Sequence, residues 1–110
     1  MTAAEQFDLV QRVYPEAELW SEGRQPFVYL PKLQFASVVG KVQVDVLLCP
    51  QAHPGYPTRL FLSQKLEGTK ANFNSNPVIG GRSWHGASWD GVPASLPWLE
   101  ILACHLKAFQ

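Results

Sequence analysis

The hydrophobic positions change period twice along the chain. Ala3, Phe7, Val10, Val13 and Tyr14 fall on one helical face. Thr2 and Glu5 have the spacing of a capping box that starts this helix, and Pro15 stops it. From Ala17 the helical period is lost. Short apolar runs follow at Ala17–Trp20, Phe27–Leu30, Leu33–Val39, Val42–Leu48 and Leu60–Leu62, broken by Gly23, Pro26, Pro31, Gly40, Pro50, Pro54, Gly55 and Pro57. Val42, Val44, Val46 and Leu48 alternate with Gln43, Asp45 and Leu47, the pattern of a half-buried strand. Gly40-Lys41 between two strand-like runs predicts an antiparallel hairpin.

A polar stretch rich in Gly and Asn then runs from Gln64 to Gly91. Loops of such length inside a compact domain are functional or disordered. This one carries Trp84, His85 and Trp89, whose apolar area favours an ordered flap. Both indoles are expected to pack on the Tyr56-Pro57 loop and the start of the last helix, leaving His85 and Ala87–Ser88 at a shallow groove. Pro93 and Ser95 open that helix, with Pro97 tolerated in its first turn. Trp98, Leu99, Ile101, Leu102, Leu106 and Phe109 span one arc of it, opposite Glu100 and Lys107. The pattern predicts one α+β domain over residues 1–110: an N-terminal helix, a four-stranded antiparallel meander sheet, a flap loop and a C-terminal helix.

Composition narrows the function classes. With 110 residues there is room for one core. Nine Lys/Arg balance nine Asp/Glu and are scattered, so no basic patch points to nucleic acid. No stretch approaches the roughly 18 apolar residues that span a bilayer, and the N-terminus lacks the order of a signal peptide. Two distant cysteines, Cys49 and Cys104, suit reduced thiols in a cytoplasmic protein. Cys49, His53, His85 and Cys104 do not form the two tight pairs of a zinc site, and no cofactor motif occurs.

Three local features, in order, resemble the ubiquitin-conjugating enzymes. His53-Pro54-Gly55-Tyr56-Pro57 stands where that family has its Tyr-Pro-rich loop, followed by Arg59-Leu60-Phe61-Leu62 as the next strand. Asn72-Phe73-Asn74-Ser75-Asn76 resembles the segment before the family's active-site cysteine. Trp89 precedes Ser95–Phe109 as the family's Trp precedes its helix. The resemblance implies a bacterial ubiquitin-like modification pathway, with an activating enzyme and a ubiquitin-like protein as partners. The family's chemistry is transthiolation, in which a cysteine accepts the C-terminus of the ubiquitin-like protein as a thioester. The nucleophile would lie within Gly81–Trp89, yet no cysteine is there. Ala87 and Ser88 are the positions where a replaced cysteine is expected; the alternative is an inactive adaptor that binds without conjugating. Ser83 and Ser88 carry hydroxyls, which are poor nucleophiles without a base.

The remaining candidates divide between chemistry and packing. His85 suits a proton relay beside the nucleophile, or a brace for the flap. Asn72, by the resemblance, would offer its amide to an oxyanion; as a residue it equally suits a turn. Cys49, Cys104 and His105 read as packing residues. The resemblance also makes Glu5, Gln6, Asp8, Gln11 and Arg12 the helix face that would meet an activating enzyme.

Overall fold

Helix α1 covers Ala3–Val13 and begins as the capping box requires. The Glu5 amide donates to Thr2 Oγ1 at 3.2 Å, and the Thr2 amide donates to Glu5 Oε1 at 3.0 Å. The Tyr14 amide closes the helix onto the Val10 carbonyl. The buried stripe is narrower than the pattern predicts: Val10 is buried and Phe7 and Tyr14 half-buried, but Ala3 and Val13 face solvent. A computed structural model describes every residue except Pro54.

Four strands form the expected meander: β1 (Glu18–Glu22), β2 (Gln25–Ser37), β3 (Gly40–Cys49) and β4 (Arg59–Leu62). The predicted hairpin is present, with Val38 and Val39 in its turn and Gly40 opening β3 opposite Ser37. The run Phe27–Leu30 and the run from Leu33 as far as Ser37 belong to one strand rather than two. A bulge at Pro31-Lys32 joins them, where the pairing steps from Leu30↔Val46 to Leu33↔Val44. Pro31 has no amide to leave unpaired, and Lys32 sits in the left-handed region at φ 52°. The Lys32 amide finds its acceptor in Asp45 Oδ1 at 2.8 Å.

The extra residue resets which side of the sheet each side chain faces. Val28 and Leu30 before the bulge, and Leu33 and Phe35 after it, all join the core under the helices. From β3 and β4 come Val44, Val46, Leu48, Leu60 and Leu62. Leu47 and Cys49 point the other way, so the second half of β3 is buried on both faces, not one.

The sheet is wider than a four-stranded meander. Within the predicted flap, β5 (Phe73–Ser75) and β8 (His85–Ala87) extend it to six strands in the order β1-β2-β3-β4-β8-β5. Between them β6 (Val78–Ile79) and β7 (Arg82–Ser83) make a small separate hairpin. The last helix, α2 (Trp98–Leu106), starts three residues later than Ser95 and continues as a 3-10 turn through Phe109. A proline disfavours helical backbone in the residue before it, which holds Leu96 out of the helix and leaves Pro97 as its cap. Both helices contribute to one core on one face of the sheet. No helix among the described residues is long and apolar enough to cross a membrane.

Candidate functional site

The polar stretch after Ser63 is bound to the sheet by pairing and by aromatic packing. Phe61 pairs with Gly86 and Leu62 with His85, while Phe73 and Ser75 pair with Ala87 and Gly86 from the outer side. A Cβ at position 86 would lie 3.0 Å from the Phe61 ring and 3.1 Å from Arg59 Nη2, so any larger residue would have to push these side chains back by a few tenths of an ångström. The β6–β7 hairpin folds over the face opposite the helices. Its Gly80 passes so close to Trp20 that a Cβ there would lie 2.5 Å from the ring.

Trp84 is the anchor of this second face, and its position corrects the sequence expectation. It is fully buried among Phe27, Leu47, Cys49, Phe61 and Ile79, not against Tyr56-Pro57 and the last helix. Its Nε1 donates to the Ile79 carbonyl at 3.0 Å, and its ring meets Trp20 and Tyr29 edge-on. Arg82 lies over it at 4.7 Å and reaches Asp45 Oδ2 at 3.0 Å and Tyr29 Oη at 3.1 Å. Burial pushes the Asp45 carboxyl up, but the Lys32 amide and Arg82 outweigh it and hold it below the ordinary carboxylate value. Asp45 thus joins the β2 bulge to the hairpin. Trp89 is 39% exposed and does reach the last helix, but near its end: Nε1 donates to the Cys104 carbonyl at 3.0 Å.

The four predicted site residues occupy two different surroundings. Ala87 points inward and is 7% exposed, in the core under the helices rather than at a groove. Ser88 follows it into solvent. Its amide donates to the Asn72 carbonyl at 2.7 Å, so Asn72 and Ser88 are neighbours through main chain. His85 is half-buried and lines a shallow cavity of about 230 Å³ with Lys65, Phe73, Asn74, Ser75 and Asn76. Its Nδ1 lies 3.5 Å from Asn76 Nδ2, and the Ser88 hydroxyl has Tyr56, not His85, as partner.

The cluster around Ser88 contains a residue that the sequence reading passed over. Arg59, immediately before the apolar run Leu60–Leu62, is only 4% exposed. Its guanidinium lies 4.2 Å from the centre of the Tyr56 ring and 5.6 Å from that of Phe61. Nη2 donates to Asn74 Oδ1. Asn74 Nδ2 donates to Tyr56 Oη at 3.0 Å, and Tyr56 Oη donates to Ser88 Oγ at 3.1 Å. Hydrogen bonds with Ser88 and Asn74, aided by Arg59, lower the Tyr56 phenol. Burial lowers Arg59 itself, and burial together with Arg59 lowers His53. The hint in the sequence is a cation that directly leads into a short apolar run destined for the core.

The other candidates have structural roles. His105 is 2% exposed, and Thr58 Oγ1, 2.9 Å from its Nε2, donates onward to the Val92 carbonyl at 2.8 Å. Burial, then Arg59, lowers His105 to about 4. Cys49 is buried and its thiol is pushed up by desolvation. Among the described residues, no three His, Cys, Asp or Glu side chains gather where they could hold a metal ion. On α1, Gln6 is not a free surface residue: its Oε1 accepts from the Trp98 amide at 3.3 Å and caps α2. Asp8 pairs with Arg12 at 2.8 Å. The loop motif from His53 to Pro57 is described apart from Pro54, which lies outside the described residues; His53 and Tyr56 exchange main-chain hydrogen bonds there at 3.0 and 2.7 Å.

Compared with known proteins, the chain matches no family model, no curated protein and no solved structure.

Proposed function

We propose that this domain acts in the cytoplasm within a bacterial ubiquitin-like modification pathway, as a ubiquitin-conjugating-like domain with Ser88 at the carrier position. With cysteine there, the chain would hold the C-terminus of a ubiquitin-like protein as a thioester taken from an activating enzyme. With serine there, it binds one of those partners as an adaptor and forms no acyl bond. One observation carries this reading: of the two positions where the nucleophile is expected, Ser88 is exposed and Ala87 is buried. The order of helix, meander, Tyr56 loop, Asn-rich strand and final helix supports it too. The adaptor form is favoured for this sequence because the Ser88 hydroxyl bonds to Tyr56 and has no imidazole as base.

The test is to charge Ser88→Cys with the cognate activating enzyme and ubiquitin-like protein. A band sensitive to reducing agent is expected for Ser88→Cys and not for the buried Ala87→Cys. Failure of Ser88→Cys with a competent activating enzyme places the nucleophile wrongly. The adaptor form is tested on the outer face of α1, where Met1, Ala4, Glu5, Asp8, Leu9 and Arg12 line a shallow depression of about 410 Å³. Reversing Asp8 and Arg12 together keeps their pair and should leave the fold intact. Unchanged affinity for the activating enzyme would remove this surface from the proposal.

A further inference from the structure

Arg59 presents an electrostatic imbalance that the fold alone does not resolve. The ion pairs among the described residues are Arg12–Asp8 and Arg82–Asp45; Arg59 has no carboxylate partner. A buried charge normally requires a counter-charge or a full set of hydrogen bonds. Arg59 has the faces of Tyr56 and Phe61 and one neutral amide oxygen, from Asn74. Among the described residues, its Nε has no hydrogen-bond partner, and neither does His53 Nδ1. These two orphaned, buried nitrogens belong to one cluster, with the His53 ring 5.3 Å from Phe61. Above the guanidinium, the Tyr56, Asn74 and Ser88 polar groups open to solvent.

We propose that this cluster is a binding site for a carboxylate, of the kind that ends a polypeptide chain, with Arg59 as its counter-charge. The carboxylate takes the place of the Asn74 oxygen on Nη2, and the freed Asn74 amide, Tyr56 and Ser88 donate to it from the rim. Exchange of a neutral acceptor for a charged one strengthens the hydrogen bond to the guanidinium. Charge balance selects a monoanion. Arg59 is the buried cation of the cluster, and the Asp90 carboxylate acts on Tyr56 from its exposed side, so a phosphate dianion would bring excess negative charge against a single guanidinium. The neighbouring strand β5 is a sheet edge, which provides main-chain groups for the residues preceding such a carboxylate. The site stands whether or not Ser88 marks a carrier position.

The experiment is an NMR titration that follows the Arg59 Nε–H signal. The probes are N-acetyl-Ala-Ala with a free C-terminus, its C-terminal amide and inorganic phosphate, at constant ionic strength. The free acid should shift the signal and saturate, and the amide at the same concentration should leave it in place. Tyr56→Phe, which keeps the ring over Arg59, should weaken binding several-fold, as should Ser88→Ala. Arg59→Lys, followed through the side-chain amide signal of Asn74, should abolish saturation; if it does not fold, the Tyr56→Phe and Ser88→Ala pair decides. Equal response to acid and amide, no response to either, unchanged affinity in both rim variants, or tighter binding of phosphate than of the acid would each overturn the proposal. These outcomes are separate from thioester charging at position 88, so either result can fail while the other stands.

Discussion

The two faces of the sheet are built by different means. Under the helices lie Val, Leu, Ile and Phe side chains from strands with regular alternation, closed by the apolar arcs of α1 and α2. Its buried polar pair, Thr58 and His105, is joined by a hydrogen bond that continues to the Val92 carbonyl. The opposite face is covered only in part, by the β6–β7 hairpin. Its interior is aromatic: Trp20, Phe27, Tyr29, Phe61 and Trp84, with Arg82 and Arg59 laid over the rings. Beyond that cover, Gln34, Ala36 and Gln43 are exposed. One face therefore depends on periodic burial, and the other on a few large rings and directed hydrogen bonds between distant segments. Chemistry that needs accessible polar groups concentrates at the edge of the second face.

The largest expected effect comes from removing the anchor of that face. Trp84→Ala should cost about 3–5 kcal/mol, comparable with Ile101→Ala in the other core at about 2–5 kcal/mol. Chemical denaturation of both variants checks this. A cost below about 1 kcal/mol at Trp84 would mean that the hairpin side does not unfold with the rest.

Acid should act on the opposite side. His105 has an ordinary value of 6.5 and is lowered to about 4 when buried, so the folded state favours its neutral form. The stabilisation is complete above pH 6.5 and declines as the pH falls, with nothing further lost below about 4. That gap corresponds to on the order of 3 kcal/mol. Unfolding free energies at pH 7 and pH 4.5 should show most of this loss in the parent chain. His105→Gln, which retains a donor for Thr58, should show a flatter profile. An identical profile would put the acid sensitivity elsewhere.

The smallest expected effect is at the link between bulge and hairpin. Asp45→Asn keeps an acceptor for the Lys32 amide but removes the charge facing Arg82. Because that pair is partly exposed, the loss should stay below about 1 kcal/mol and diminish in high salt. A loss of several kcal/mol, independent of salt, would show that Asp45 acts through geometry rather than charge.

Much of the helix side was legible in the sequence, because periodic burial leaves a local trace. Thr2 and Glu5 mark the start of α1, and the alternation of Val42, Val44, Val46 and Leu48 marks one face of β3. The other face leaves a weaker trace. Phe73–Ser75 and His85–Ala87 are three-residue strands, Phe-Asn-Ser and His-Gly-Ala, too short to show an apolar rhythm, and their pairing is set by β4 and by the close approach at Gly86. Trp84 was identifiable as a residue to be buried, but its partners Trp20 and Tyr29 lie more than fifty positions away. The Arg59 cluster was hidden for the same reason. Its members come from the Tyr56 loop, β4, β5 and the end of β8, and only the folded sheet places Asn74 and Ser88 above a guanidinium.

The bulge at Pro31-Lys32 has a bearing on how this chain should be compared with others. Strand β2 is a message written in two reading frames: inward residues are even-numbered up to Leu30 and odd-numbered from Leu33. A relative that lost one of the two bulge residues would return to plain alternation with Leu33 and Phe35 still facing inward, whereas one that kept both residues in a straightened strand would have half of that strand turned inside out. A relative that kept the bulge while changing every side chain would retain the architecture. The phase slip, more than the identity of the residues around it, is the feature by which kinship to this sheet should be sought.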